Sequence, residues 1–356
     1  MFFRFKTMEL KMKDERLSTP PKLSICITTL NRASSIGSTL DSILPQLTDA
    51  CELVILDANS SDHTEQVVSA YASRSDRLRY IRQEVNNGLD RDYDRVVQLA
   101  KGEFCWLMTD DDLLKPGSVS AVLDALRQDL SLVIVNVERK NYSLTKVVQR
   151  RWLDVQSDRV YRSDEMDRLF YEASDLLCYI GCVVIRRSIW LERERERYFG
   201  SWYVYFGVIF QQRLPGDAHM IATPLITYRM GNIHTFWSNA DEILFFSWPS
   251  LFDSLAISES VRKKVYSVEP WRHFRALLLY RAMSHYSLTE YRRWVRPHLR
   301  SFYDKSISIL IALFPGILIG AGFALYCSVT GRPYQGNWWP EMLFQYMKEG
   351  RYRLWR

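Results

Sequence analysis

The chain has no G-x-S-x-G, no P-loop and no G-x-G-x-x-G. It therefore lacks the signatures of an α/β-hydrolase nucleophile, a P-loop NTPase and a dinucleotide-binding turn. Its 6 cysteines (Cys26, Cys51, Cys105, Cys178, Cys182, Cys327) include no C-x-x-C pair. That argues against a structural zinc site or a disulfide framework and fits a reducing compartment. Cys26 and Cys105 sit inside apolar runs and read as small hydrophobes. No internal repeat, low-complexity tract or nucleic-acid motif is present, so no nucleic-acid partner is expected. Residues 1–17 mix apolar and charged side chains without the continuous apolar stretch of a secretory signal, so the chain is expected to stay in the cytoplasm. The histidines His219, His234, His273 and His285 are scattered; only His234, after Arg229-Met230-Gly231-Asn232-Ile233, draws notice as a site candidate.

At 356 residues the chain suits one large domain, or a domain with a smaller annex. Hydrophobic residues at 47% and charged residues at 25% make the composition globular rather than disordered. Aromatics reach 13%, which fits an aromatic core and equally fits sugar stacking or a membrane interface. Net charge is +6, with Arg292, Arg293, Arg296 and Arg300 crowded in the C-terminal half. Without a nucleic-acid motif, such a surface points to lipid or phosphorylated substrates.

From Lys22 to about Val137, strand and helix patterns alternate. Strands are expected at Leu23–Thr29, Glu52–Asp57, Leu78–Ile81, Glu103–Thr109 and Leu132–Val137. Helical spacing links them through Ile36, Leu40, Ile43, Leu44 and Leu47, then Val67, Val68 and Tyr71, then Val96 to Ala100. A further helix is expected to begin at Pro116. Right-handed β-α-β units of this length imply an α/β fold with a mostly parallel sheet. Ligands of such sheets bind beyond the carboxyl ends of the strands. Three polar clusters fall there: Thr28 to Arg32, Asp57 to Asp62, and Asp110 to Asp112. The alternating run Glu192 to Arg197 reads as a solvated helix face.

Asp110, Asp111 and Asp112 follow an apolar strand. Like charges packed at a strand end are costly without a cation, and a hard divalent ion such as Mn2+ or Mg2+ with a bound diphosphate removes that cost. Acids before a helix that favour its dipole are the duller alternative. Asp57 ends its strand and is placed to bind a nucleobase or ribose, beside Ser60; an Asx turn is the alternative, with Asp62 as the helix cap. In Asn87-Gly88-Leu89-Asp90-Arg91-Asp92, Gly88 permits a tight turn. Arg91 is placed to meet a phosphate, or else to pair with Asp92 or Asp94.

The segment Leu23–Asp129 resembles the family 2 glycosyltransferases of the GT-A fold. The resemblance is carried by ICITTLNR, LVILDANSSDHT and CWLMTDDDLLKPG. NNGLDRDYDRVVQLAKGEFCWLMTDDDLLKPG and GDAHMIATPLITYRMGN are similar to abequosyltransferase-like enzymes of bacterial O-antigen assembly, which move a 3,6-dideoxyhexose from a CDP-sugar onto a lipid-linked oligosaccharide. The resemblance implies a GT-A type, Rossmann-like sheet flanked by helices. It implies a nucleotide pocket lined by Thr28, Asn31 and Arg32 with Asp57 on the base, and a metal held by Asp110, Asp111 and Asp112; Ser60, Gly88, Arg91 and Asp110 are further candidates to bind the nucleotide-sugar. Asp111 would be the principal ligand, with Asp111 and Asp112 catalytic. Thr109 stands where the family's first acid usually is. The family's Glu-Asp pair is missing from Tyr198 to Tyr205, so Asp175 or Asp217 replaces the base, or the reaction retains configuration and needs none. A sugar nucleotidyltransferase would show glycines near its first strand, and Thr28–Arg32 has none. A nucleotide-binding membrane scaffold without activity is the other alternative. Aromatics between Tyr198 and Trp237 are candidates to hold acceptor sugars.

The domains expected are an N-terminal extension (1–21), a GT-A domain (22–238, nucleotide half 22–137 and acceptor half 138–238) and a C-terminal helical region (239–356). Residues 307–329 carry no charge and are long enough to span a bilayer at ~1.5 Å per residue. Pro315-Gly316 interrupts them and both flanks are basic, which favours a peripheral or monotopic in-plane hairpin over a single span. A buried helical pair is the soluble alternative. Trp338, Trp339, Tyr346 and Trp355 are expected at headgroup level. With a lipid-linked acceptor, this places the chain at the cytoplasmic face of the bacterial inner membrane.

Overall fold

β1 (Leu23–Thr29) and β2 (Cys51–Asp57) are buried along their whole length in the computed structural model, which describes residues 20–126, 129–230, 248–265, 270–282 and 285–330. Their near-continuous apolar runs are those of parallel strands covered on both faces. β3 (Leu78–Arg82) and β4 (Phe104–Met108) extend the sheet, and every pairing among these four strands is parallel. The helices Ile36–Ile43, Thr64–Ala72 and Leu89–Leu99 make the crossovers. All four carboxyl ends therefore lie on one rim.

The close passage of Lys101-Gly102 under β1 explains a glycine. A Cβ on Gly102 would lie 2.6 Å from the Ser24 nitrogen. The Gly102 N–H donates to Ser24 Oγ (2.8 Å), and Ser24 Oγ donates to the buried Glu52 (2.7 Å), which Arg79 also meets (3.0 Å).

The fifth expected strand appears as the longer β6 (Leu130–Lys140), but it does not neighbour β4. β9 (Val183–Arg186) lies between them and is antiparallel to both. β10 (Asp217–Arg229) runs parallel to β6, and the short β5 (Leu113–Leu114) runs antiparallel to β10. β7 (Val147–Gln149) and β8 (Arg159–Tyr161) pair antiparallel with β6 and β10. The order is β3-β2-β1-β4-β9-β6-β10-β5. The sheet is mixed α/β and mostly parallel, as expected. Two reversals at β9 restore the original direction, so β10 ends on the same rim as β1.

Two local expectations need correction. The helix after the acidic run is Ser118–Ala125, not one starting at Pro116, because Gly117 has φ +81 and cannot be helical. The Glu192–Arg197 run is not a solvated helix face. Its helix, Arg187–Glu192, has already ended, and Arg193 turns inward to the carbonyls of Val208, Ile209 and Arg213. Arg195 donates to the carbonyls of Trp190, Leu191 and Arg193 and pairs with Asp94 at 2.7 Å. These guanidinium groups satisfy carbonyls that helix ends leave without partners.

From residue 248 on, the regular elements among the described residues are all helices, including Phe274–Ala282, Phe302–Leu313 and Gly316–Thr330. Leu277, Tyr286, Tyr291, Val295, Leu299, Ile311 and Ala312 form a second core. No single helix among the described residues is long and apolar enough to cross a membrane; Phe302–Leu313 and Gly316–Phe323 pass such a test only together, bent by 90°. The boundary at 238, His234, Trp237, most of the N-terminal extension and the tryptophans near 338 lie outside the described residues.

Candidate active site

The loops after β1 and β2 are laced together. Asn31 takes a left-handed φ of +55. Its N–H donates to Ser60 Oγ (2.9 Å), and its side-chain oxygen accepts the Ser61 N–H (2.8 Å). The Arg32 N–H donates to Thr64 Oγ1 (2.8 Å) and the Ala33 N–H to Asp62 (3.1 Å). Asp62 also accepts the Thr64 N–H (2.9 Å), an Asx-type turn that ties the two loops, although the cap residue of the following helix is His63 rather than Asp62 as expected.

Asp57 is fully buried. One oxygen accepts the Ser60 N–H (2.7 Å) and the other accepts the Tyr80 hydroxyl (2.7 Å). It closes the Asx-type turn that shapes this loop. Thr28 is buried beside the Tyr93 hydroxyl, which donates to the Met108 carbonyl (3.2 Å).

The three acids are held differently. Asp110 is buried, and Arg32 Nε donates to it at 3.2 Å. Burial pushes its carboxyl up to about 6, with Arg32 opposing and the Asp111 charge adding to the rise. Asp112 is 1% exposed, and both oxygens are engaged: one accepts the Arg229 N–H (2.6 Å), the other the hydroxyls of Thr109 and Tyr179 (2.7 Å for Tyr179). Burial and the Asp111 charge push its carboxyl up to about 8. Asp111 is only half-buried, and its carbonyl accepts Arg229 Nε at 3.0 Å. Among the described residues no group of three His, Cys, Asp or Glu side chains is arranged to hold an ion, and Asp110, Asp111 and Asp112 take different partners. The donor chemistry still fits Mn2+ or Mg2+. Such hard ions are commonly held by one or two carboxylates plus substrate phosphates, and Asp110 with the half-buried Asp111 supplies that donor set.

Gly88 has φ +88 and precedes the helix Leu89–Leu99 at the end of the loop after β3. Arg91 packs over the Phe199 ring (4.6 Å) rather than against Asp92 or Asp94. Asp92 accepts from Gln83 (2.6 Å), while Asp94 is taken by Arg195 and by Trp190 (2.9 Å). Asp90 accepts the backbone N–H groups of Trp202 (2.8 Å) and Val204 (3.1 Å), so an acid from the nucleotide half reaches the acid-free segment.

Asp175 is exposed and accepts Trp152 Nε1 at 2.8 Å. Trp152 stacks on Tyr179 (5.9 Å), whose hydroxyl meets Asp112. Asp175 is thus tied to the acids through two rings and does not touch them. Asp217 opens β10 and lies at the opposite end of the sheet, which removes it as a base. Tyr198, Tyr203 and Tyr205 are buried in the core and present no face to a sugar.

Several rim residues escaped the sequence reading. Arg229 ends β10 between Asp111 and the Tyr142 carbonyl, to which it also donates (2.8 Å). Arg139 lies over Trp152 (3.2 Å), and Tyr228 packs against Tyr179 (5.1 Å). Their signal was an arginine closing a long strand, legible only once β10 is known to run parallel to β1.

A family model described as glycosyl transferase family 2 matches residues 24–231. Abequosyltransferase RfbV of Salmonella typhimurium is 25% identical over 223 residues, 59% of this chain and 67% of that protein. Chondroitin synthase of Escherichia coli is 31% identical over 39% of this chain and 20% of its own length. The GalNAc(5)-diNAcBac-PP-undecaprenol beta-1,3-glucosyltransferase of Campylobacter jejuni is 29% identical over 39% of this chain and 45% of its own. The chain therefore spans less than half the length of the latter two. The crystal structure of S. aureus TarS 1–349 with UDP superposes at a TM-score of 0.56 over 92% of both chains, at 14% identity, a likeness of fold.

Proposed function

This chain belongs to the family 2 glycosyltransferases, and from that premise we propose that it moves a 3,6-dideoxyhexose such as abequose from a CDP-sugar to a lipid-linked oligosaccharide. The setting proposed is O-antigen or lipopolysaccharide assembly at the cytoplasmic face of the bacterial inner membrane. The observation that carries the transferase reading is the rim where Arg32 meets Asp110 and Arg229 meets Asp111, with Asp57 closing the loop at the end of β2 on the same rim. The abequose reading is supported by the relative RfbV, which matches over 223 residues. The lipid-linked acceptor is supported by the PP-undecaprenol in the name of the Campylobacter relative.

The loop held by Asp57 and Ser60 receives the base and ribose. Arg32 and Arg229 flank the diphosphate. Asp111, with Asp110 beside it, would hold Mn2+ or Mg2+; when bound, the ion neutralises charge on the departing diphosphate. Asp112 orients the acidic run through Thr109, Tyr179 and Arg229. The acceptor hydroxyl attacks the anomeric carbon as the bond to the diphosphate oxygen breaks, and the hydroxyl proton leaves. Asp175 is the acceptor-side candidate to take that proton.

A thermal-shift panel of CDP, UDP, GDP and dTDP, with and without Mn2+, tests the reading. CDP with Mn2+ is expected to give the largest shift, followed by turnover of a CDP-sugar. A larger shift with another base would overturn the CDP assignment. Nucleotide binding without turnover of any nucleotide sugar would establish the inactive scaffold instead.

A further inference from the structure

Residues 306–330 contain no charged side chain. The helix Phe302–Leu313 buries Ser308, Ile311 and Ala312 on its inner side. Its other side leaves Leu310 63%, Leu313 50% and the adjoining Phe314 50% exposed. The next helix leaves Leu318, Leu325 and Val329 exposed at 57%, 65% and 76%. Apolar surface continuing across two helices marks an interaction site.

The bend between these helices is fastened. Pro315 has no N–H and interrupts the helical ladder. The Phe314 carbonyl, at the end of the first helix, accepts Nε of the buried Arg281 at 2.7 Å. Arg281 Nη1 donates to the Tyr286 carbonyl at 3.1 Å, which anchors the guanidinium in the second core. Straightening the pair into one span would take this acceptor from a buried cation, a costly loss. Just before the first helix, Arg292, Arg293, Arg296 and Arg300 are all exposed.

We propose that the bent pair lies in the plane of a single leaflet, locked at 90° by Arg281, with the four arginines on anionic phospholipid headgroups. The proposal deepens the membrane-side reading above and rests on it. The apolar side chains supply insertion, and the arginines supply preference for negative lipid.

The test uses the full chain in flotation with vesicles of phosphatidylcholine alone or mixed with phosphatidylglycerol. Recovery with the mixed vesicles is expected to exceed that with neutral vesicles by about tenfold. Arg292→Glu with Arg296→Glu should reduce recovery to the neutral level; Leu310→Asp with Leu318→Asp should abolish it on both. Each variant is also checked for its nucleotide-induced thermal shift, so loss of membrane binding is read separately from loss of the transferase site. In spheroplasts a C-terminal tag should resist external protease. A cleaved tag, indifference to lipid charge, or a detergent-free protein that ignores both vesicles, whether monomeric or self-associated, would each overturn the proposal.

Discussion

At the rim of the sheet the buried groups are acids: Asp57, Asp110 and Asp112 are withdrawn from water. In the C-terminal helices the arrangement is inverted. There the exposed groups are Leu310, Phe314 and Leu318, and a buried cation, Arg281, ties down the backbone. Each region departs from the ordinary rule of apolar inside and charged outside. The departures differ in what completes them. Asp57 and Asp112 have both carboxylate oxygens engaged by protein donors, whereas Asp110 meets Arg32, and burial together with the neighbouring Asp111 charge raises its carboxyl. The apolar helices have no such internal compensation on their outer side. The comparison teaches that each region presents outward what its proposed ligand would meet: acids and arginines at the rim, apolar side chains on the helices.

The sharpest way to break this comparison is to damage the two cores separately. Ile55→Ala in β2 and Leu277→Ala in the second core should each cost about 2–5 kcal/mol, measured by denaturant unfolding. Only the first should also impair nucleotide binding; equal loss from both would show that the regions are not distinct. Asp111→Asn should lower turnover about 10²–10³-fold, the scale of a lost transition-state charge interaction. Its melting temperature in EDTA should stay near that of the parent. Full activity of this variant in EDTA would remove the metal from the account. Asp57→Ala should weaken nucleotide binding by ~1–3 kcal/mol in calorimetry, because the loop loses its buried acceptor. It should also lower stability, since the Ser60 N–H and Tyr80 hydroxyl lose their partner; unchanged affinity would reduce Asp57 to a structural part.

The smallest effect expected is a pH dependence at Asp92, whose carboxyl burial raises to about 6. A carboxyl raised above its unfolded value contributes stability that is present at low pH and lost as pH rises through the folded value. Asp92→Asn should therefore be neutral near pH 4 and stabilise the protein by about 1–2 kcal/mol at pH 8, where the parent must bury a charge. Equal effects at both pH values would refute the assignment.

Much of the nucleotide half was legible because its strands are apolar along their whole length and end in polar loops. Leu23–Thr29 was bounded correctly, and the rim followed from the topology of right-handed crossovers. The acceptor half was harder to read. β9 is only four residues long, and no local pattern says that it inserts between β4 and β6. That insertion is what delivers Arg229 to Asp111 and sends Asp217 to the far end.

The sequence by itself determined which residues end the first strands, the charge-free stretch with its proline break, and the family motifs. These depend on local alternation and spacing, which neighbouring residues set directly. Only the tertiary structure decided that Asp112 is held by Thr109, Tyr179 and Arg229, that Arg193 and Arg195 serve as internal caps, and that Arg281 fixes the bend at Phe314. Those outcomes depend on partners as far as 117 residues away in the chain. A buried polar group must find a hydrogen-bonding partner wherever folding brings one, and sequence distance does not record that meeting.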